Sequence, residues 1–516
     1  MTLPSLSANA HLGDVYARAT DARDARFDGV FFVGVTTTRI YCRPVCPSRI
    51  SFRHHRRFFG TAAAAEGAGF RPCLRCRPEL APGCAPVDAM PRLAFAAARM
   101  IAAGALNGHS VGELARELGV SERHLRRAVE RELGVSPVAL AQTHRLLLAK
   151  RLLADTTLSV TRIAYASGFQ SLRRFNAAFR AQYRMTPRSL GRVLQPESAG
   201  QFLRLTLAYR PPFAWKTMCD CLARDAIPGV DLVRGLRYGR TVSIKGHSGV
   251  IFAEDAAAPS ELESPDGFSM PASRARQMSR NYLHVDVSPS LVPALMPLLA
   301  RLRQMFDLDA DPEKIDRHLR QSELSALVGR TPGIRIPGAI DGFDVALRVL
   351  LRNHVRSASS RAPGSRTNET LRRIAEALGE PIETETPELS RLAPTAARIA
   401  DSGVRTLRSL GARGRRADAV VAVARLVADG VVKLEPGGDV VAARLALAKI
   451  AGVGDQLATS IVMRAMQWPD AFPVTSRGLA RLAHVSSAGT MRELAERWRP
   501  WRTYAAIHLW SSVTPW

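Results

Sequence analysis

Four of the seven cysteines stand in two close pairs. Cys42 and Cys46 lie in "RIYCRPVCPSRI" with three residues between them, and Cys73 and Cys76 lie in "GFRPCLRCRPEL" with two. The pairs are 26 residues apart. Four thiolates at this spacing close a tetrahedral zinc site, and prolines beside them favour turns that present paired sulfurs. Two roles are open to such a cluster: an inert structural clamp, or a clamp in which one sulfur also does chemistry. Zinc keeps its ligands deprotonated, and the thiolate is the nucleophilic form of cysteine. Of the remaining three, Cys84 stands in a linker, and Cys219 and Cys221 read as core or partly exposed thiols.

The chain around these cysteines is strongly basic. It has 516 residues, 72 Lys+Arg against 46 Asp+Glu and a formal net charge of +26. Only six of the basic residues are lysine. Residues 1–200 hold 29 basic and 14 acidic side chains, so +15 of the excess sits at the front. Guanidinium pairs bidentately with phosphate and with guanine edges, which makes nucleic acid the expected partner. No apolar run is long enough to span a bilayer, so no membrane partner is expected. The N-terminal stretch lacks the basic-then-apolar pattern of a secretory signal. The expected compartment is therefore reducing, the cytoplasm around the nucleoid. Clustered cysteines there are metal ligands or reactive thiols rather than disulfides.

Two Pro/Gly-rich seams divide the sequence. "RPELAPGCAPVDAMPR" ends a Cys/Arg-rich module near residue 85, and "GRVLQPESAGQ" ends a helical module near residue 195. The middle module repeats itself: "VGELARELGVSERHLRRAVERELGVSP" is echoed by "VTRIAYASGFQSLRRFNAAFRAQYRMTP", with Ala115 and Gly119 answered 49 residues later by Ala164 and Gly168. Each glycine follows an amphipathic helix and precedes a basic one, the layout of a helix-turn-helix unit. Phe169, Phe175 and Phe179 read as core. From residue 200, "LVRGLRYGRTVSIKGHSGVIFAED" and "NYLHVDVS" alternate like strands, and beyond about residue 290 the pattern is helical.

The cysteine module closely resembles the N-terminal domain of the Ada family of bacterial adaptive-response proteins. The likeness spans roughly residues 10 to 80 and rests on the Thr-Thr before Cys42, the Cys-Arg-Pro-x-Cys-Pro block and the Arg-Pro-Cys-x-x-Cys block. It implies one Zn²⁺ held by Cys42, Cys46, Cys73 and Cys76. It also implies that Cys42 irreversibly accepts a methyl group from a methylphosphotriester in DNA, once per protein chain. Four thiolates on one Zn²⁺ carry −2, and methylation of one drops this to −1. Repulsion of the DNA backbone falls, so that nearby Arg43, Arg49, Arg53, Arg56 and Arg57 can grip phosphates. No Pro-Cys-His-Arg segment occurs, so the family's second, O6-methylguanine-accepting domain is not expected.

The middle module resembles the AraC family of regulators, which carry two helix-turn-helix units. The resemblance places Arg123, His124 and Arg127 on a first recognition helix and Gln170, Ser171, Arg173 and Arg174 on a second. It implies major-groove reading of promoter DNA and activation of transcription, with RNA polymerase as a further partner.

From 200 to 516, "LAYRPPFAW", "PGIRIPGAIDGFDVALRVLL", "KIAGVGDQLA", "PDAFPV" and "AERWRPWRTYAAIHLW" occur in the order found in AlkA-type 3-methyladenine DNA glycosylases. The resemblance implies a small α/β subdomain followed by helices with a helix-hairpin-helix, in which the backbone around Gly452 and Gly454 holds a DNA phosphate. The family's catalytic Asp shortly after the Phe-Pro step is Ser476 here, and a neutral hydroxyl cannot stabilise a cationic sugar. Asp470 precedes that step. The family's Trp-Thr pair after the hairpin is Gln456-Leu457, Asp455 sits beside the hairpin, and its Gly-Gln-x-Val-Ser segment reads Arg352-Asn353-His354-Val355-Arg356. Trp498, Trp501, Arg502, Tyr504 and Trp510 are retained, although aromatics at such spacing also serve as core.

The expected architecture is multidomain. It comprises a small α+β zinc domain (1–85), an all-α double helix-turn-helix domain (90–194), an α/β subdomain (200–290) and an all-α helix-hairpin-helix glycosylase fold (291–516). The expected function is a single-use methyl acceptor that switches on transcription of alkylation-repair genes, with base excision by the last domain weak or lost. The alternative is an active DNA-3-methyladenine glycosylase II fused to the sensor, since alkylated purines that are already cationic depart with little help.

Overall fold

The computed structural model describes residues 10–83, 92–194, 202–256, 281–351, 365–435, 438–485 and 487–512. Cys84, the segment Arg352–Arg356 and much of both seams lie outside them. Two compact units emerge, one of Met1–Arg210 with Leu291–Ala300 and Leu308–Ala310, the other of Pro211–Ser290, Arg301–Asp307 and Asp311–Trp516. The zinc and helix-turn-helix modules thus pack together in the first unit. No helix among the described residues is long and apolar enough to cross a membrane.

In the first unit, helix α1 (Ala10–Asp21) precedes a four-stranded sheet of β1 (Phe32–Val35), β2 (Ile40–Cys42), β3 (Arg56–Phe59) and β4 (Arg71–Pro72), ordered β3-β1-β2-β4. Tyr16 of α1 stacks on Phe31 at 4.1 Å between ring centroids, which roofs one end of the sheet with aromatic surface. Helix α2 (Ala62–Gly67) begins where the Thr61 hydroxyl accepts from the Ala64 amide.

The repeat becomes two helix pairs. Helices α3 (Arg92–Ala102), α4 (Val111–Glu117) and α5 (Glu122–Leu133) lead into the long α6 (Pro137–Asp155), which is followed by α7 (Val160–Ala166), α8 (Leu172–Tyr183) and α9 (Pro187–Leu194). Ser121 and Ser171 cap α5 and α8, each accepting an amide three residues on. Ala115 and Ala164 are buried, and Gly119 and Gly168 turn the chain at φ +69° and +87°. At those angles an L side chain is strained, so the glycines set the turn. Phe169, Phe175 and Phe179 are buried as expected.

In the second unit, the expected strands are Asp231–Arg234, Arg237–Ile244, His247–Asp255 and Tyr282–Val287, paired antiparallel in that order. The tight turn at Lys245-Gly246 has positive φ at both residues, as a two-residue hairpin between right-twisted strands requires. Below the sheet, a buried network joins strands to helix Gly342–Leu351. Arg348 reaches Asp231 at 2.8 Å and Asp344 at 3.0 Å, and Arg240 reaches Asp344 at 2.7 Å. Each cation meets two carboxylates there, the pairing that a low-dielectric interior demands.

Candidate functional site

The sheet brings the two cysteine pairs together. Strands β2 and β4 run parallel with Tyr41 opposite Pro72, and the Cys73 amide donates to the Tyr41 carbonyl at 3.0 Å. Cys42, the last residue of β2, and Cys73, the residue after β4, are thereby neighbours. The Cys46 amide donates to the Arg43 carbonyl at 3.1 Å, folding the second sulfur back on the first. All four sulfurs lie within 4.8 Å of one another. A tetrahedral zinc with sulfurs at about 2.3 Å places them about 3.8 Å apart, so the cage fits the ion. Hydrogen bonding with Cys46 first, then with the other two, pushes the Cys42 thiol far above its ordinary value. Bonding to Cys42 holds Cys46 down to about 6 and Cys73 lower still. The four thiols compete for protons, and a divalent cation that stabilises every thiolate ends that competition.

The four are not equally accessible. Cys46, Cys73 and Cys76 are buried, whereas Cys42 is partly open to solvent.

The five arginines expected to grip phosphate divide. Arg49 and Arg53 are exposed and Arg57 is half-buried, its guanidinium 5.4 Å from the Phe59 ring centroid. Arg53 also reaches Asp21 at 2.6 Å. Arg56 departs from the expectation: its side chain is nearly enclosed and bonds Asp21 at 2.7 Å and the Ser51 carbonyl at 2.8 Å. Arg43 departs further. It is buried, paired with Asp28, and donates through Nη1 to the Cys76 carbonyl at 3.3 Å, while its amide donates to Cys76 Sγ at 3.4 Å. It braces the cluster from inside, because a buried Asp28 claims its charge.

On the helix pairs, Arg123, His124 and Arg127 are exposed along α5, and Gln170, Arg173 and Arg174 are exposed at the start of α8. Ser171 is half-buried and serves as the α8 cap. In the second unit, helices Val440–Ala448 and Gly454–Ala465 flank a short hairpin. Gly452 and Gly454 have φ of +89° and +63° and are exposed. Asp455 is paired with Arg444.

Ser476 is 8% exposed and caps helix Arg477–Leu482, accepting the Leu479 amide at 3.4 Å. Asp470 is held by Arg502 at 2.7 Å and Arg499 at 3.2 Å. Trp498, Trp501 and Tyr504 are core: Trp498 Nε1 donates to Glu323 at 2.6 Å, and the Tyr504 hydroxyl donates to Asp307 at 2.8 Å. Trp510 is half-buried. Cys219 and Cys221 are buried.

Sequence reasoning missed two polar groups around the cluster. Glu66 accepts the Tyr41 hydroxyl at 3.0 Å and the Thr143 hydroxyl at 2.6 Å, and burial raises its carboxyl to about 7. Lys150, 1% exposed, donates to the Cys73 carbonyl at 3.1 Å and to Glu79 at 2.5 Å. The only signal was that Lys150 is the single lysine in the first 200 residues, amid 28 arginines.

Three family models match the chain: "Metal binding domain of Ada" at residues 16–79, "Helix-turn-helix domain" at 114–192 and "AlkA N-terminal domain" at 204–341. With the cage described above, the first identifies a tetrathiolate zinc site at Cys42, Cys46, Cys73 and Cys76. DNA-3-methyladenine glycosylase 2 of Escherichia coli is 28% identical over 305 residues, covering 59% of this chain and 96% of that protein. The bifunctional transcriptional activator/DNA repair enzyme Ada of the same organism is 50% identical over 60 residues, 12% of this chain and 17% of that protein. A probable bifunctional transcriptional activator/DNA repair enzyme AlkA of Mycobacterium tuberculosis is 35% identical over 506 residues, covering 96% of this chain and 95% of that protein. On that end-to-end match, with zinc, helix-turn-helix and AlkA modules in order, the chain belongs to the family of bifunctional Ada–AlkA fusion proteins.

Proposed function

We propose that this chain is a DNA alkylation-damage sensor that becomes a transcription activator of repair genes after a single methyl transfer. The observation that carries this reading is a four-sulfur cage in which Cys42 alone is partly exposed. Zinc, when bound, keeps the four sulfurs deprotonated and nucleophilic. The Cys42 thiolate attacks the methyl carbon of a neutral methylphosphotriester. The carbon–oxygen bond breaks, its electrons stay on oxygen, and an ordinary phosphodiester anion departs. The products are a thioether and a diester, with no proton or electron left over. A thioether at this site is a poor leaving group, so each chain acts once.

The cluster changes from −2 to −1, which relieves repulsion toward the DNA backbone. Arg49, Arg53 and Arg57 are the candidates for phosphate contact, while Arg43 and Arg56 hold the site itself. Arg123, His124 and Arg127, with Gln170, Arg173 and Arg174, are the candidates for promoter reading in the major groove, and recruitment of RNA polymerase follows from that role. The roles map to residues 1–85 for methyl acceptance, 90–194 for promoter binding, and 200–290 with 291–516 for the AlkA-like portion. There the hairpin at Gly452 and Gly454 contacts a phosphate, and Ser476 gives little help to base departure. Full base excision by this portion is the competing reading, favoured by its near-complete coverage of the E. coli glycosylase.

Incubation with a duplex bearing one methylphosphotriester tests the proposal. Transfer should stop at one methyl per chain and be absent in Cys42→Ser. Repeated turnover, or undiminished transfer by the variant, refutes it.

A further inference from the structure

Helix α6 joins the two helix-turn-helix units, and it also reaches the zinc cage, directly at Cys73 and through Glu66 and Tyr41 toward Cys42. Toward its middle, Thr143 donates to Glu66, which accepts from Tyr41, the residue before Cys42. Two turns on, the buried Lys150 donates to the carbonyl of the ligand Cys73 and to Glu79. Glu79 in turn pairs with Arg77 at 3.1 Å, and Arg77 reaches Asp155, the last residue of α6, at 2.7 Å. The segment after Cys73 is therefore tied to α6 at two points.

The reading helices are tied to the same body. The Thr61 hydroxyl donates to the Leu133 carbonyl at the end of α5 at 3.4 Å, and Gln182 near the end of α8 donates to the Phe70 carbonyl at 3.2 Å. The Tyr183 hydroxyl donates to Leu146 of α6 at 3.1 Å. Helix α5 runs into α6 after three residues, and α8 is bonded to α6 through Tyr183, so a small displacement of α6 relative to the cage is transmitted to both recognition helices, because packed interiors move as bodies.

We propose that Lys150 is a positioning residue that reports the charge of the thiolate cluster to α6, coupling Cys42 methylation to the placement of the two recognition helices. This rests on the methyl-transfer reading above. The ammonium is shared between an anionic cluster, through the Cys73 carbonyl, and the carboxylate of Glu79. When the cluster falls from −2 to −1 its pull on Lys150 weakens while that of Glu79 does not, and the side chain shifts toward Glu79. Both partners are nearly inaccessible, at 1% and 2% side-chain exposure, so water does not screen the change. A compact ammonium with three donors can divide itself in this way, whereas a planar guanidinium is bound to a fixed fork. That difference accounts for a lone lysine in an arginine-rich region.

The test uses the full chain loaded with zinc. Affinity for an unmodified fluorescent duplex is measured by anisotropy before and after stoichiometric methylation, with zinc content assayed alongside. Wild type should gain affinity on methylation. Lys150→Met should retain zinc and accept one methyl, yet lose roughly tenfold of that gain, within the usual range of allosteric coupling. Glu79→Gln, which removes the other claimant, should lose it too, and Lys150→Arg should restore part of it. A merely structural role would lower both affinities together and leave their ratio intact, and that outcome overturns the proposal. Loss of zinc by both Lys150→Met and Glu79→Gln also overturns it, since such a contact is a scaffold rather than a relay. Absence of methyl transfer in wild type would instead refute the underlying function.

Discussion

Replacing Ser476 by Asp asks whether a missing anion is what limits base excision. Ser476 caps its helix through a side-chain oxygen, and Asp is an equally good cap, so S476D should fold. One carboxylate oxygen can keep the Leu479 amide and leave the other free to meet a bound sugar. At 8% exposure the position is largely withdrawn from water. For a carboxylate about 4 Å from a developing cationic sugar, an effective dielectric of about 20 gives an attraction of about 4 kcal/mol. That energy, realised only in the transition state, corresponds to roughly a thousandfold in rate. Asp470, the carboxylate closest to Ser476 in sequence, is clamped by Arg502 and Arg499. The assay is single-turnover release of 3-methyladenine from a defined duplex, followed by cleavage at the abasic sites. S476D should exceed wild type by at least a hundredfold. A folded S476D no faster than wild type, or a wild type already far above the spontaneous rate, refutes the reasoning.

Three further outcomes follow from the same structure. Cys76→Ser should abolish stoichiometric zinc and expose the Arg71 and Cys73 amides, which bond to Arg39 and Tyr41, to rapid hydrogen exchange, because binding the ion is part of folding this small sheet. Glu66 has its carboxyl raised by burial from 4.5 to about 7, so its contribution to stability is full below pH 4.5 and lost as pH rises through 7. Glu66→Gln does not titrate; relative to wild type it should gain up to about 3 kcal/mol between pH 4.5 and 8, read from denaturant midpoints. Gly454→Val forces a β-branched side chain into φ +63°, at a cost of about 1–2 kcal/mol. It should weaken duplex binding by the AlkA-like portion several-fold, and unchanged anisotropy would argue against a phosphate contact at the hairpin.

The cysteine cage was legible in the sequence because metal-ligand spacing is local: each pair sits in one turn, and only the pairing of β2 with β4 had to be supplied. The duplicated helix pairs were legible for the same reason, since Ala115/Gly119 and Ala164/Gly168 mark the turn from within a few residues. What could not be read was the fate of each charge. Arg43 and Arg49 are alike in sequence, yet Asp28, fifteen residues before Arg43, draws it inward and leaves Arg49 exposed. Lys150 and Cys73 are 77 residues apart, and no periodicity connects them. The aromatic set of Trp498, Trp501 and Tyr504 was ambiguous between pocket and core until its burial was seen. Long-range polar pairing depends on the completed fold, and composition alone carries little of it.

The most direct test is peptide mass spectrometry of the full-length, zinc-loaded chain after exposure to one equivalent of methylphosphotriester duplex. The account predicts that the peptide containing Cys42 becomes heavier by one CH2, while those with Cys46, Cys73 and Cys76 are unchanged. A methyl found on another cysteine, or on none, would contradict it.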